Sequence, residues 1–87
     1  MLEIAKDELL AIVRTFKPGA RVRKYKYGDG GSIRLGKETT VEFDEINDSR
    51  CIARVAFYNR DWLYATQDFK SAEDLKSWLD PKKNNVK

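Results

Sequence analysis

Residues Arg50–Gln67 read RCIARVAFYNRDWLYATQ, and this stretch decides the fold class. Cys51, Ala53, Val55 and Phe57 alternate with Ile52, Arg54, Ala56 and Tyr58, the period of two that sends successive side chains to opposite faces of a strand. Asn59-Arg60-Asp61 is a turn, and Trp62 to Gln67 returns as the second arm of a hairpin. Upstream, Asn47-Asp48-Ser49 is a second turn, whose short polar side chains can bond their own backbone. It is preceded by a strand over Thr39 to Ile46, with Thr39, Val41 and Phe43 inward and Thr40, Glu42 and Asp44 outward. Antiparallel β-structure with short connections follows.

Helices are expected at both ends. Leu2, Ala5, Leu9, Ile12, Val13 and Phe16 form the stripe of one amphipathic helix over residues 2–16, stopped by Pro18-Gly19. Ser71 with Asp74 three positions later is a capping box, and Ala72, Leu75, Trp78 and Leu79 continue it as a helix over 72–79. Between them, Ala20 to Tyr27 reads as an extended run with neither face cleanly apolar. Gly28-Asp29-Gly30-Gly31-Ser32 reads as a flexible loop and hinge, and Ile33 to Leu35 as a short strand. The 87 residues suffice for one compact domain, 1–80, with its β-region at 20–67, followed by a flexible basic tail at 81–87.

Short antiparallel strands with weakly patterned faces must be covered by helices as an open sheet or curl into a small barrel. Phe16-Lys17-Pro18-Gly19 leads into Val22. A glycine-containing excursion, Val41, Val55-Ala56-Phe57, a short turn, Trp62 and Tyr64, and then Asp68-Phe69 follow. Over residues 16–69 this order resembles small SH3-like barrel families. The resemblance implies a small barrel; with the N-terminal and short C-terminal helices as additions that many such families lack, the expected fold is α+β, a four- or five-stranded antiparallel SH3-like barrel or strongly curved sheet flanked by the two helices. Ala20 departs from the polar residue more usual after the first glycine. Such barrels carry many unrelated functions, so the resemblance says little about activity.

Charge is divided along the chain. The net +3 contains a segment, residues 14–37, with eight cations against Asp29 alone, whereas residues 38–80 hold five basic and ten acidic side chains. Within the basic segment, Arg21, Arg23, Lys24, Lys26, Arg34 and Lys37 are interleaved with Tyr25 and Tyr27. Cations gain from phosphate through counterion release and rings stack on unpaired bases, so this cluster is the leading candidate for a nucleic-acid surface. An acidic protein surface would suit the same residues, and the chain would then be a small regulator or inhibitor of a protein partner. Tyr58, Arg60, Trp62 and Tyr64 form a second candidate surface. Alternation puts Trp62 and Tyr64 on one face, in the core if it turns inward and in a groove if it turns outward.

Catalysis finds little support. With no histidine the usual neutral-pH proton shuttle is missing, no catalytic, metal or cofactor residues are assigned, and Cys51 lies on the most apolar strand face as a small hydrophobe. Glu42, Asp44, Glu45 and Asp48 read as a solvated face. Gly36-Lys37-Glu38-Thr39 fails as a phosphate loop, because Glu38 separates the lysine from the hydroxyl and a strand follows. The longest apolar run, Leu9 to Val13, is far short of a membrane span. The lone cysteine fits a reducing compartment, so a non-enzymatic, cytoplasmic binding module away from membranes is expected, as monomer or homodimer.

Overall fold

A computed structural model describes residues 1–87. In chain order it contains β1 (Leu2–Ala5), α1 (Lys6–Phe16), β2 (Val22–Lys24), β3 (Gly30–Arg34), β4 (Thr39–Glu45), β5 (Arg50–Asn59), β6 (Trp62–Gln67) and α2 (Ala72–Trp78), with a 3₁₀ turn at Pro81–Lys83. The long strand β5 organises the sheet. One side pairs with β4 from Thr39↔Phe57 to Glu45↔Cys51. The other side is shared: Arg50 to Ala53 pair with β1, and Val55 to Asn59 pair with β6. The order is β1-β5-β4-β3-β2 with β6 beside β5, antiparallel throughout.

The sheet is open, which corrects the expectation of an SH3-like barrel or strongly curved sheet. One edge is β2 and the other is β1 and β6 end to end, and no ladder joins the two edges. The physical reason lies in what covers the apolar face. Leu2, Ile4, Ile33, Val41, Phe43, Cys51, Ala53 and Val55 are buried with Leu9, Ile12 and Val13 of α1, Leu75 of α2, and Phe69 and Leu79 in one cluster. The helices supply the apolar partners that a closing barrel would have taken from its own strands. Cys51 and Ala53 are small, so a helix can approach that part of the sheet closely.

Three local readings are also corrected. The helix does not begin at Leu2: Leu2 and Ile4 face the core from β1, which passes into α1 at Lys6 without a loop. Leu2 fits a period of two with Ile4 as well as a helical period with Ala5 and Leu9, and only the free edge of β5 selects the strand. Gly30 and Gly31 are strand residues rather than a hinge. A Cβ on Gly30, at φ +143°, would lie 2.2 Å from the Phe43 carbonyl oxygen, and one on Gly31 would lie 2.7 Å from that of Arg23. These glycines allow β2, β3 and β4 to approach. The extended run contracts to Val22–Lys24, with Tyr25 N–H adding one bond to the Gly30 carbonyl at 3.1 Å.

The segment expected to be a loose tail is bonded to the sheet. Lys87 N–H donates to Thr39 Oγ1 at 2.7 Å, and the Lys87 carbonyl accepts from Thr39 Oγ1 at 3.0 Å and from Glu38 N–H at 2.8 Å. Val86 packs against the core cluster, and Asn85 Nδ2 donates to the Trp78 carbonyl at 3.0 Å. At the start of α2, the Ser71 hydroxyl accepts from Asp74 N–H at 3.2 Å, as the capping spacing predicts.

Candidate binding surfaces

No helix packs on the second face of the sheet, although Ala56 on it is fully buried. Register lines Arg23, Ser32, Glu42 and Arg54 across β2, β3, β4 and β5, and Arg34, Thr40, Ala56 and Thr66 across β3, β4, β5 and β6. The centre of this face neutralises itself. Arg54 Nη2 lies 3.2 Å from Glu42 Oε1 and its Nη1 lies 2.9 Å from Asp44 Oδ2. Tyr58 Oη donates to Glu42 Oε2, and that bond, with burial second, pushes the Tyr58 phenol up to about 12. Burial also raises Tyr25, reinforced by the Glu42 carboxylate and opposed by Arg54. Burial works against the charge of Arg54, but its hydrogen bond to Asp44 and the two carboxylates hold its pKa above the ordinary value. Tyr25 is thus half-buried near these charges rather than an exposed stacking ring.

The remaining cations gather along β2 and the two ends of its hairpin. Arg21, Arg23, Lys24 and Lys26 are exposed, and none has a carboxylate within 4.0 Å; the ion pairs of the molecule use Lys6, Arg50, Arg54 and Lys76. Arg23 points to the uncovered face, and Lys24, one position on, to the helical side. Lys26 lies in the connecting loop with Nζ 5.8 Å from the centre of the Tyr27 ring, and Tyr27 is 83% exposed. Arg34 is committed to its own turn, Nε donating to the Gly36 carbonyl at 3.0 Å and Nη2 to that of Lys37 at 2.7 Å. Lys37 is exposed at the opposite end of the hairpin from Lys26. The structure therefore keeps Arg21, Arg23, Lys24 and Lys26 at one edge of the sheet, divided between two faces, and sets Arg34 and Lys37 apart on β3 and the β3–β4 turn.

No family model, curated protein or solved structure matches the chain.

The second candidate cluster comes apart. A bulge in β6 sets Ala65 opposite Phe57 and Leu63 opposite Tyr58, leaving Tyr64 as the extra residue. Tyr64 packs on Phe57 with ring centres 6.2 Å apart and donates to Glu38 Oε1 at 3.0 Å; partial desolvation and that bond push its phenol up. Phe57 in turn meets Trp78, which meets Phe69. Trp62 is not core: it is 74% exposed, with Leu63 at 48% and Tyr64 at 43%. Arg60 occupies the turn at φ 58°. Alternation missed Leu63 because a bulge inserted by backbone geometry has no mark in this sequence.

Elsewhere, an open trough of about 660 Å³ runs between the helices, lined by Glu8, Ile12, Phe16, Lys76 and Leu79 among others. No three Cys, Asp or Glu side chains come together as a metal-binding set. Cys51 is buried, and burial pushes its thiol up, away from the reactive thiolate. No helix is long and apolar enough to cross a membrane.

Proposed function

We propose that this chain is a non-enzymatic binding module of the cytoplasm that holds a single-stranded nucleic acid along β2 and the β2–β3 hairpin. The observation that carries the reading is the set of four exposed cations, Arg21, Arg23, Lys24 and Lys26, left without carboxylate partners beside the open ring of Tyr27. Unpaired cations on a strand can track a phosphate backbone while the ring offers a stacking platform. Lys37 stands apart in the β3–β4 turn, which Arg34 holds.

A second reading, an acidic protein surface as the partner, is favoured by one feature. The unpaired cations divide between two faces, Arg23 on one and Lys24 on the other, a spread that a contoured acidic protein surface can meet more readily than one strand of phosphates.

Titration of a labelled single-stranded oligonucleotide at several salt concentrations separates the two. Affinity should fall steeply with salt, and replacing Arg21, Arg23, Lys24 and Lys26 by alanine should reduce the log–log slope by up to roughly 0.7 for each phosphate no longer neutralised. Tyr27→Ala should cost about 1–3 kcal/mol at constant slope, and Lys76→Ala on α2 should leave both unchanged. Salt-insensitive binding, or a slope untouched by the four replacements, would reject the phosphate reading.

A further inference from the structure

The two edges of the sheet differ in kind. An edge strand offers unpaired N–H and C=O groups to any extended chain, and proteins blunt such edges with charge, proline, brevity or a bulge, of which β6 has only the bulge at Tyr64. Strand β2 is three residues long and carries Arg23 and Lys24, and β1 has four residues with Glu3 tied to Arg50 at 3.2 Å. Strand β6, WLYATQ, has neither charge nor proline, and all six residues are exposed. Its backbone pairs with β5 alone, and no turn, loop or cap bond reaches residues 62–67.

We propose that β6 is a self-association edge, on which β6 of a second copy pairs antiparallel about a two-fold axis and joins two six-stranded sheets into one. The flanking charges argue for a second copy as the occupant. Arg60 precedes the strand and Asp68 follows it, both exposed and neither in an ion pair within the chain. With Tyr64 of each copy on the axis, Arg60 faces Asp68 of the second copy at both ends, Trp62 faces its Thr66 and Leu63 its Ala65. Sliding the register by one residue pairs all six strand residues instead of five but sets Asp61 against Asp68 of the second copy, and sliding by two sets Arg60 against Lys70. Sliding the other way shortens the overlap. The charges therefore select one register, and it is self-complementary, as an isologous interface requires. The bulge at Tyr64 lies on the axis and is the one feature of this edge that opposes pairing. One strand pair with Trp62 and Tyr64 makes a small interface, so association is weak and visible only at high protein concentration.

Sedimentation of nucleic-acid-free protein over a range of concentrations tests this. The 10.1 kDa chain should move toward twice its mass as concentration rises. Leu63→Lys with Ala65→Lys should keep it monomeric at an unchanged thermal midpoint. Arg60→Asp or Asp68→Arg alone should weaken association about tenfold, and the two together should restore it. A chain that stays monomeric at the highest attainable concentration, a dimer indifferent to the lysines, or a double swap no better than either single one would overturn the proposal. Oligonucleotide binding by β2 is measured separately, so either result leaves the other standing.

Discussion

At the scale of single residues, the uncovered sheet face shows how a carboxylate can be consumed by its neighbours. Glu42 accepts from Tyr58 and pairs with Arg54, so this acidic strand position, which the sequence presents as merely solvated, is a hub. The consequence is a pH dependence of known sign. The folded protein holds the Tyr58 proton up to about 12, whereas the unfolded chain releases it near the ordinary phenol value of 10.0. The pair's contribution is whole below about pH 10 and is lost as pH rises from there through about 12, because the unfolded state deprotonates first. Ultraviolet titration of tyrosinate should show Tyr58 ionising earlier in Glu42→Gln. Stability of the wild type should fall more steeply than that of Tyr58→Phe across the same window, and parallel curves would contradict the assignment.

Among the elements, the C-terminal segment has the most to say about packing. The hydroxyl of Thr39 is fully buried and both its hydrogen bonds go to Lys87, which also caps the Glu38 amide. Removing residues 84–87 should leave that hydroxyl unpaired, at a cost of about 1–3 kcal/mol, in addition to the packing of Val86. Urea denaturation is the measurement, and Thr39→Val in the shortened chain should recover part of the loss. An unchanged midpoint after truncation would mean that the segment contributes nothing. The polar, lysine-rich sequence of 81–87 hides this role, because the partners of Lys87 are backbone groups and one hydroxyl.

Across the whole molecule, both helices share one apolar face of one sheet, so the chain should unfold as a unit. Leu9→Ala in α1 and Leu75→Ala in α2 should each cost about 2–5 kcal/mol and shift the same transition. Far-ultraviolet circular dichroism and the fluorescence of Trp78 in a Trp62→Phe background should trace coincident curves. Separate midpoints would show α2 docking independently of the sheet.

Much of the local structure is written in residue order. The alternation of β4 and β5, the Pro18-Gly19 stop, the Ser71 cap and the burial of Cys51 each depend on neighbours a few positions apart, and each stands where the residue pattern places it. Closure of the sheet, the strand at Leu2–Ala5, the packing of Gly30 against Phe43, the exposure of Trp62 and the ion pairs on Glu42 depend on segments far apart in sequence. The candidate site divides the same way. The basic run at 21–37 is visible as charge, but only the assembled sheet shows which of its cations keep no partner and which, like Arg34, are already engaged. Periodicity fixes which way a side chain points along its own strand, whereas its neighbours across the sheet are chosen by the competition of all strands for the edges of β5.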